Sequence, residues 1–202
     1  MEHDKLRFVS VDPGTNLGVA ILDYDTVTHK VIVKDAYTLD LSRLIPSDDH
    51  EDKQRMVLLR LSRLKAFLNN YLKRWKPQFA AHETAYVPHR GGGASIASFA
   101  SLIENILTIR FCFFDKDHDM QVFTINPSAV KFCIAGEKSS DKKLILNALL
   151  KDDTVDLSEL KSTALDQHSA DAVGIGITCI RQNFQFNGSN FKIRVKKNGG
   201  KK

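Results

Sequence analysis

The sequence predicts a single α/β domain in which helices cover both faces of a mixed, five-stranded sheet. Three short apolar runs come first and are joined by short segments, an order typical of an antiparallel meander. Two more short runs then alternate with helical patterns, which is typical of parallel strands joined by helical crossovers. No repeat or linker interrupts this order, so we expect one domain over residues 1–189 and a flexible basic tail over residues 190–202.

The five strands are predicted from short apolar runs that end at turn residues or polar segments. The first run ends at Asp12-Pro13-Gly14, a sequence typical of a tight turn. The fourth run, FAAHE, leads into the loop sequence TAYVPHRGGG. The predicted strands cover residues 6–11, 17–24, 30–39, 79–83 and 121–125.

The helices are predicted from apolar residues that recur every three to four positions. The first such pattern stops just before Pro77, which cannot continue a helix. A shorter helix is expected to begin at Asn126-Pro127, because proline is favoured at the first helical position. The other predicted helices cover residues 54–75, 94–113, 141–150 and 162–183.

Composition excludes several classes of protein. Hydrophobic residues make up 43% and charged residues 26% of the chain, which is typical of a globular protein and not of a disordered one. No apolar run approaches the roughly 20 residues of a membrane span, and the N-terminal sequence lacks the pattern of a signal peptide. The cysteines are isolated and lack zinc-site spacing. We therefore expect buried free thiols in a cytoplasmic protein that has no membrane partner.

The net charge of +5 is concentrated in the basic tail. From Asn190 to Lys202 the chain carries lysine and arginine but no acid, and without this segment it is close to neutral. Such a tail either contacts a polyanion such as nucleic acid or serves only as a solvated extension that aids solubility. Charge alone leaves both interpretations open.

Two carboxylates are predicted at strand ends. Asp12 closes the first strand and Glu83 ends the fourth, where a stiff backbone would hold each side chain at the edge of the sheet. Each has a plainer interpretation, since aspartate is common before Pro-Gly turns and acids often end strands in solvent. Strand side chains alternate between faces, so His82 is expected to point away from any site that contains Glu83.

The last predicted helix carries a second pair of polar residues. In LDQHSADAVGIGITCI, His168 and Asp171 lie about 60° apart around the helix and share one face. Asp166 points elsewhere and is expected to serve as an acid at the helix N-terminus. A buried Asp171 needs a partner, and an ion pair with a lysine is the alternative to a metal ion. Within the same helix, Gly174 and Gly176 predict close packing on the sheet.

Together, Asp12, Glu83, His168 and Asp171 predict a divalent-metal site. Carboxylate oxygens suit Mg²⁺ or Mn²⁺, and the single imidazole slightly favours Mn²⁺. Two such ions about 4 Å apart would activate a water and stabilise the leaving oxygen in phosphodiester hydrolysis. We therefore expect two ions per active site.

Four segments resemble, in order, the motifs of RuvC-type Holliday-junction resolvases, which belong to the RNase H-like superfamily. They run from about Arg7 to Ile180 and so cover most of the chain. A DPG sequence alone is common, whereas four ordered motifs with these spacings are specific. The segments are VSVDPGTNLGVAILD, FAAHETAY, INPSAVKFCIAG followed by SSDKKLI, and HSADAVGIGIT.

The resemblance implies an RNase H-like fold and a homodimeric, metal-dependent endonuclease. Such a crossover junction endodeoxyribonuclease nicks two opposed strands of a four-way DNA junction symmetrically and leaves 5′-phosphate and 3′-hydroxyl ends. By position, Asp12, Glu83 and Asp171 match catalytic metal ligands, and His168 falls where members have either aspartate or histidine. We expect the helix over residues 94–113 to form the dimer face, because its apolar positions exceed what one stripe needs.

The resemblance also implies residues that contact DNA. Lys131 and Lys142 match basic residues near the scissile phosphate, and Tyr86 falls where the family often has an aromatic that wedges into the junction. Arg90 opens an Arg-Gly-Gly-Gly loop that serves either as a hinge or as a place where backbone amides approach phosphate. In the plainer interpretation, both lysines are solvated helix residues and Tyr86 packs on the core.

Two features depart from the compact bacterial members: residues 28–52 form a longer segment, and the basic tail is additional. The resemblance therefore leaves branch-migration partners open and includes a phage or mobile-element enzyme that acts on recombination or repair intermediates in the host cytoplasm. Two alternatives are a non-catalytic protein that binds branched DNA, and another RNase H-like nuclease. The latter would cut RNA–DNA hybrids or other branched DNA.

Overall fold

The computed structural model of the chain describes residues 4–41, 50–85, 96–136, 144–160 and 165–185. Its strands are β1 (Lys5–Asp12), β2 (Asn16–Asp25), β3 (Val31–Asp40), β4 (Phe79–Glu83), β5 (Gln121–Ile125) and β6 (Val155–Asp156). Its helices are α1 (His50–Trp75), α2 (Ile96–Lys116), α3 (Pro127–Ala135), α4 (Leu144–Leu149) and α5 (Gln167–Ile180), and α5 continues into a π-helical turn, Arg181–Gln185.

The strands form one mixed sheet in the order β5-β4-β1-β2-β3-β6. β1, β2 and β3 form the predicted antiparallel meander, and β4 and β5 join it as parallel strands. The predicted count of five strands is wrong by one, because β6 pairs in parallel with the start of β3. β6 is only two residues long and lies in a polar segment, so no apolar run announces it.

The register of β1 and β4 places two acids side by side. Val11 lies opposite His82 in the parallel pairing, and each is followed by the last residue of its strand. Asp12 and Glu83 therefore leave neighbouring strands at the same edge of the sheet. Two apolar strands that are far apart in the sequence thus bring two carboxylates together in space.

Helices cover both faces of the sheet, as predicted. On one face, Phe8 and Ala20 pack with the buried residues of α5. On the other face, Val9 and Val11 pack with buried side chains of α1 and α2. Successive residues of β1 thus belong to different cores, because strand side chains alternate between faces.

Capping residues explain where two helices begin. The Asn126 side chain accepts a hydrogen bond from the Ser128 amide, and Pro127 is the first residue of α3, as predicted. Asp166 is the N-cap of α5, where it forms a capping box with Ser169. α5 therefore begins at Gln167, later than the predicted residue 162, and Asp166 has the predicted role at the helix N-terminus. The other predicted helices match α1, α2 and α4 within a few residues.

The two glycines within α5 both lie against neighbouring elements, but not against the same ones. A Cβ at Gly176 would lie 2.6 Å from a Leu22 methyl and 2.8 Å from Ser10 Oγ, so this glycine packs on the sheet as predicted. A Cβ at Gly174 would instead lie 3.1 Å from Val130 and Ile145, which belong to α3 and α4. The prediction of sheet packing is therefore wrong for Gly174, because that side of α5 carries other helices.

Several predictions fall outside the described residues: those for Tyr86, Arg90 and Lys142, and that for the tail over residues 190–202. Within the described part of the chain, no helix is long and apolar enough to cross a membrane.

Candidate active site

A pocket of about 80 Å³ lies at the edge of the sheet where β1 and β4 end. Three carboxylates line it, those of Asp12, Glu83 and Asp171, and Lys131 of α3 lines it as well. The remaining lining residues are Pro127, Val130, Ile145 and Ile175. The structure therefore brings together the three predicted acids and one of the two predicted lysines.

Close approach of α5 to the sheet carries Asp171 to this pocket. Gly18 of β2 faces the first turn of α5, and a Cβ there would lie 2.0 Å from the carbonyl oxygen of His168. Ser10 of β1 is buried and its Oγ donates a hydrogen bond of 2.7 Å to the carbonyl of Ala172. Only a residue without a side chain therefore fits at Gly18. The sequence pattern predicted a structural role for neither Gly18 nor Ser10. A glycine inside an apolar strand is the available signal, because it marks close backbone approach.

His168 lies beside the pocket and contacts it through Asp12. Its Nδ1 is 3.7 Å from Asp12 Oδ2, and its side chain is 36% exposed against 16% for that of Asp12. The interaction with the Asp12 carboxylate raises the pKa of His168, and the charges of Asp166 and Asp171 act in the same direction. A protonated His168 therefore partly balances the negative charge of the site.

Burial and neighbouring negative charges raise the pKa values of two of these acids. Burial raises the pKa of Glu83 to about 8, helped by the charges of Asp12 and Asp171. Burial also raises the pKa of Asp171 to about 6, helped by Asp12. Lys131 lowers the pKa of both acids but does not cancel these effects. The predicted alternative of a lysine partner for Asp171 thus describes a real but partial contribution of Lys131.

Crowded carboxylates of this kind fit divalent cations. Carboxylate oxygens with one imidazole suit Mg²⁺ or Mn²⁺, and a cation would relieve the repulsion that raises the pKa values. Among the described residues, no three His, Cys, Asp or Glu side chains are already gathered closely enough to hold a metal ion.

His82 points away from the site, as predicted. It is buried, and its ring contacts Arg110 of α2 at 3.0 Å, on the face of the sheet that α1 and α2 cover. Glu83, the next residue, lines the pocket. The alternation of strand side chains thus separates a buried histidine from a carboxylate of the site.

A mixed sheet with acids at the ends of two neighbouring parallel strands, and a third acid on a helix packed across them, is the arrangement that the resemblance to RNase H-like proteins predicts. Comparison with known proteins confirms that the chain is similar to RuvC-type Holliday-junction resolvases, as its motifs predict. No protein-family model matches the chain.

Two proteins of similar sequence support this resemblance. The crossover junction endodeoxyribonuclease RuvC of Prochlorococcus marinus strain MIT 9312 is 22% identical over 178 residues, which cover 88% of this chain and 98% of that protein. RuvC of strain MIT 9313 is 24% identical over 175 residues, covering 86% and 97%.

Solved structures show the same fold. T. thermophilus RuvC in complex with a Holliday junction substrate has a TM-score of 0.63 at 18% identity, covering 86% of this chain and 92% of that one. The yeast mitochondrial Holliday junction resolvase Ydc2 has a TM-score of 0.60 at 15% identity, covering 87% and 78%.

Proposed function

We propose that the chain is a metal-dependent, structure-selective endonuclease that resolves four-way DNA junctions by paired, symmetric nicks. The observation that carries this proposal is the pocket at the strand ends, which Asp12, Glu83 and Asp171 line together and in which the pKa values of Glu83 and Asp171 are raised. The fold shared with RuvC supports the choice of substrate, because one such structure is a complex with a Holliday junction.

In this proposal Asp12, Glu83, Asp171 and His168 hold two Mg²⁺ or Mn²⁺ ions. Bound there, the cations would activate a water for attack on a phosphodiester and stabilise the leaving 3′ oxygen, which gives 5′-phosphate and 3′-hydroxyl ends. The three carboxylates would fix the positions of the ions, and the apolar residues that line the pocket would limit the access of bulk water. Lys131 lies beside the acids, where its ammonium group can contact the scissile phosphate.

We further propose that two copies act as a homodimer, since two-fold symmetry matches that of a four-way junction. Leu107, Phe111 and Phe114 of α2 are exposed at a spacing that places them on one side of the helix, which supports a contact with a second copy. Lys142, Tyr86, Arg90 and the basic tail are proposed to contact DNA around the site. The enzyme would act in the cytoplasm, or in the host cytoplasm if it is phage-encoded.

Cleavage of a synthetic four-way junction tests the proposal. The junction is compared with a linear duplex and an RNA–DNA hybrid of the same sequence, each with Mg²⁺, Mn²⁺ or a chelator. We expect paired symmetric nicks in the junction alone, and no nicks with the chelator. Junction binding without cleavage under every metal would indicate a non-catalytic branched-DNA-binding protein, whereas preferential cutting of the hybrid would indicate another RNase H-like nuclease.

A further inference from the structure

Two polar residues of α2 contact the two strand ends that carry the acids. The first is Asn105, which is 1% exposed. Its Nδ2 donates hydrogen bonds of 3.1 Å to the carbonyl of Pro13 and 3.3 Å to the carbonyl of Gly14. These carbonyls belong to the turn that directly follows Asp12, so Asn105 holds the backbone on which that carboxylate stands.

The second contact runs from Arg110 through His82 to the backbone of Glu83. Arg110 Nε lies 3.0 Å from His82 Nε2, and His82 Nδ1 lies 2.8 Å from the carbonyl oxygen of Glu83. Arginine only donates hydrogen bonds, so His82 Nε2 accepts and the ring proton must be on Nδ1. That proton is donated to the Glu83 carbonyl. Arg110 thus selects the tautomer of His82 that holds the backbone of Glu83.

Buried polar groups would be costly if the contact between α2 and the sheet served only for packing. The Oδ1 atom of Asn105 is buried and has no hydrogen-bond partner within the described part of the chain, a cost that an apolar side chain of similar size would avoid. His82 is fully buried, and burial lowers its pKa and keeps the ring neutral. By contrast, the ion pair of Arg60 with Glu104 joins α2 to α1 rather than to the strands.

We propose that Asn105 and Arg110 are positioning residues through which α2 sets the separation of Asp12 and Glu83. The strand register brings the two acids to one edge, and the two contacts hold the backbone beyond it, where the ladder of β1 and β4 ends. A divalent cation then meets carboxylates whose spacing is already restricted. This inference rests on the proposed function for its metal, but it concerns the affinity of the site and not the identity of the DNA substrate.

Two variants and one control on the same helix test this inference. Asn105→Leu and Arg110→Met remove the contacts while keeping side-chain size. Thr108→Val is the matched control, because Thr108 lies between the two residues and its hydroxyl bonds, among the described residues, only to the carbonyl of Glu104 within α2. Mn²⁺ binding to the DNA-free protein is measured by calorimetry. Thermal unfolding with chelator and junction binding with chelator are measured beside it.

We expect Asn105→Leu and Arg110→Met to weaken Mn²⁺ binding by about 10- to 100-fold, as is typical when residues that orient metal ligands are lost. We also expect them to raise the Mn²⁺ concentration needed for half-maximal cleavage. Thr108→Val should change neither quantity, and junction binding with chelator should be equal in all four proteins. A role in stability alone would lower the unfolding temperature and leave Mn²⁺ affinity of the folded protein unchanged, which would overturn the inference.

The outcomes separate this inference from the proposed function. Wild-type protein that binds Mn²⁺ but leaves junctions uncut would refute the proposed function, and the affinities of the variants would still decide the role of α2. Wild-type protein that binds no Mn²⁺ would overturn both. Equal weakening in Thr108→Val would also count against the inference, because it would show that any change in α2 disturbs the site.

Discussion

The two pairs of proposed metal ligands are held in different ways. Asp12 and Glu83 end neighbouring parallel strands, where backbone hydrogen bonds set their register. His168 and Asp171 lie on the first turns of α5, which reaches the site only because α5 approaches β2 at Gly18. The ladder therefore brings the strand pair together, and we propose that α2 holds the backbone beyond it, whereas packing brings the helix pair to the site.

This difference determines which substitutions displace each pair of ligands. A strand register changes only in steps that move every side chain to another partner, so small packing changes leave Asp12 and Glu83 on neighbouring strand ends, and the proposed contacts of α2 adjust only the backbone beyond the ladder. A helix docked on a sheet shifts in response to a single added methyl group, because packed interiors lack space to absorb it. Removal of a metal ligand should therefore abolish cleavage directly. Cleavage should also fall when a substitution at a residue that binds no metal shifts α5 and so displaces His168 and Asp171.

The largest expected effect is the loss of a strand-end ligand. Asp12→Asn keeps the size of the side chain but removes the charge that we propose binds a cation. We expect the rate of junction cleavage to fall by roughly 1000-fold or more, since metal-assisted hydrolysis supplies several kcal/mol of stabilisation. Junction affinity measured with chelator should stay within about two-fold of wild type, since no phosphate contact is lost. Cleavage at the wild-type rate would show that Asp12 is not a ligand.

The second prediction concerns packing of the helix pair and compares two glycines. Gly18→Ala places a methyl group 2.0 Å from the backbone oxygen of His168, so α5 must move. We expect a loss of about 3 kcal/mol or more in the free energy of unfolding, measured with urea. Gly174→Ala meets only side-chain methyl groups at 3.1 Å and gains helix propensity, so its stability should change by less than about 1 kcal/mol. Equal losses in both variants would show that α5 does not depend on close approach at Gly18.

The third prediction concerns pH and the charges of the whole site. The pKa of Glu83 is raised to about 8 and that of Asp171 to about 6, from the ordinary values of 4.5 and 3.8 for these side chains. The folded state therefore binds protons more tightly than the unfolded state, and this stabilisation is lost as pH rises. The raised pKa of His168 acts in the same direction. With chelator, we expect the free energy of unfolding to fall by a few kcal/mol between about pH 5 and about pH 8.

A variant and a cation provide controls for the pH prediction. Glu83→Gln cannot ionise, so it should flatten most of the decline in stability across that range. Added Mg²⁺ or Mn²⁺ should flatten it in wild type, because the cation replaces the proton as the partner of the carboxylates. A pH dependence that is identical in wild type and Glu83→Gln would show that this acid does not carry the effect.

The comparison of the two pairs also explains what could be predicted from the sequence. Asp12 and Glu83 were predicted at one edge because short apolar runs and turn residues are local signals. His168 and Asp171 were predicted on one helix face from spacing alone. The sequence does not show which strand receives α5, because the close approach at Gly18 joins residues that are far apart in the chain.

Other features were missed for the same reason. β6 is held by contacts from elsewhere, including a 2.5 Å ion pair of Arg181 with Asp152 and a bond from the Val31 amide to the Thr154 carbonyl. Asn105 and Arg110 look like ordinary polar helix residues until their partners on β1 and β4 are known. Local patterns therefore predict the elements and the position of each acid, and tertiary contacts determine how the acids meet.

The smallest expected effect comes from the hydrogen bond between Ser10 and α5. Ser10→Ala removes the bond from Oγ to the Ala172 carbonyl, which should cost about 1 kcal/mol of unfolding free energy, as is typical of a buried hydrogen bond. Thr178→Val is the matched control, because in the part of the chain that the structure describes the buried Thr178 hydroxyl bonds only to the Gly174 carbonyl within α5. Both variants should lose similar stability, but only Ser10→Ala should slow junction cleavage, by about two- to five-fold. If docking of α5 on the sheet positions Asp171, the rate of cleavage must differ between Ser10→Ala and Thr178→Val although their stabilities are similar. Equal cleavage rates would show that the Ser10 bond does not position the helix, which would leave close approach at Gly18 to place His168 and Asp171.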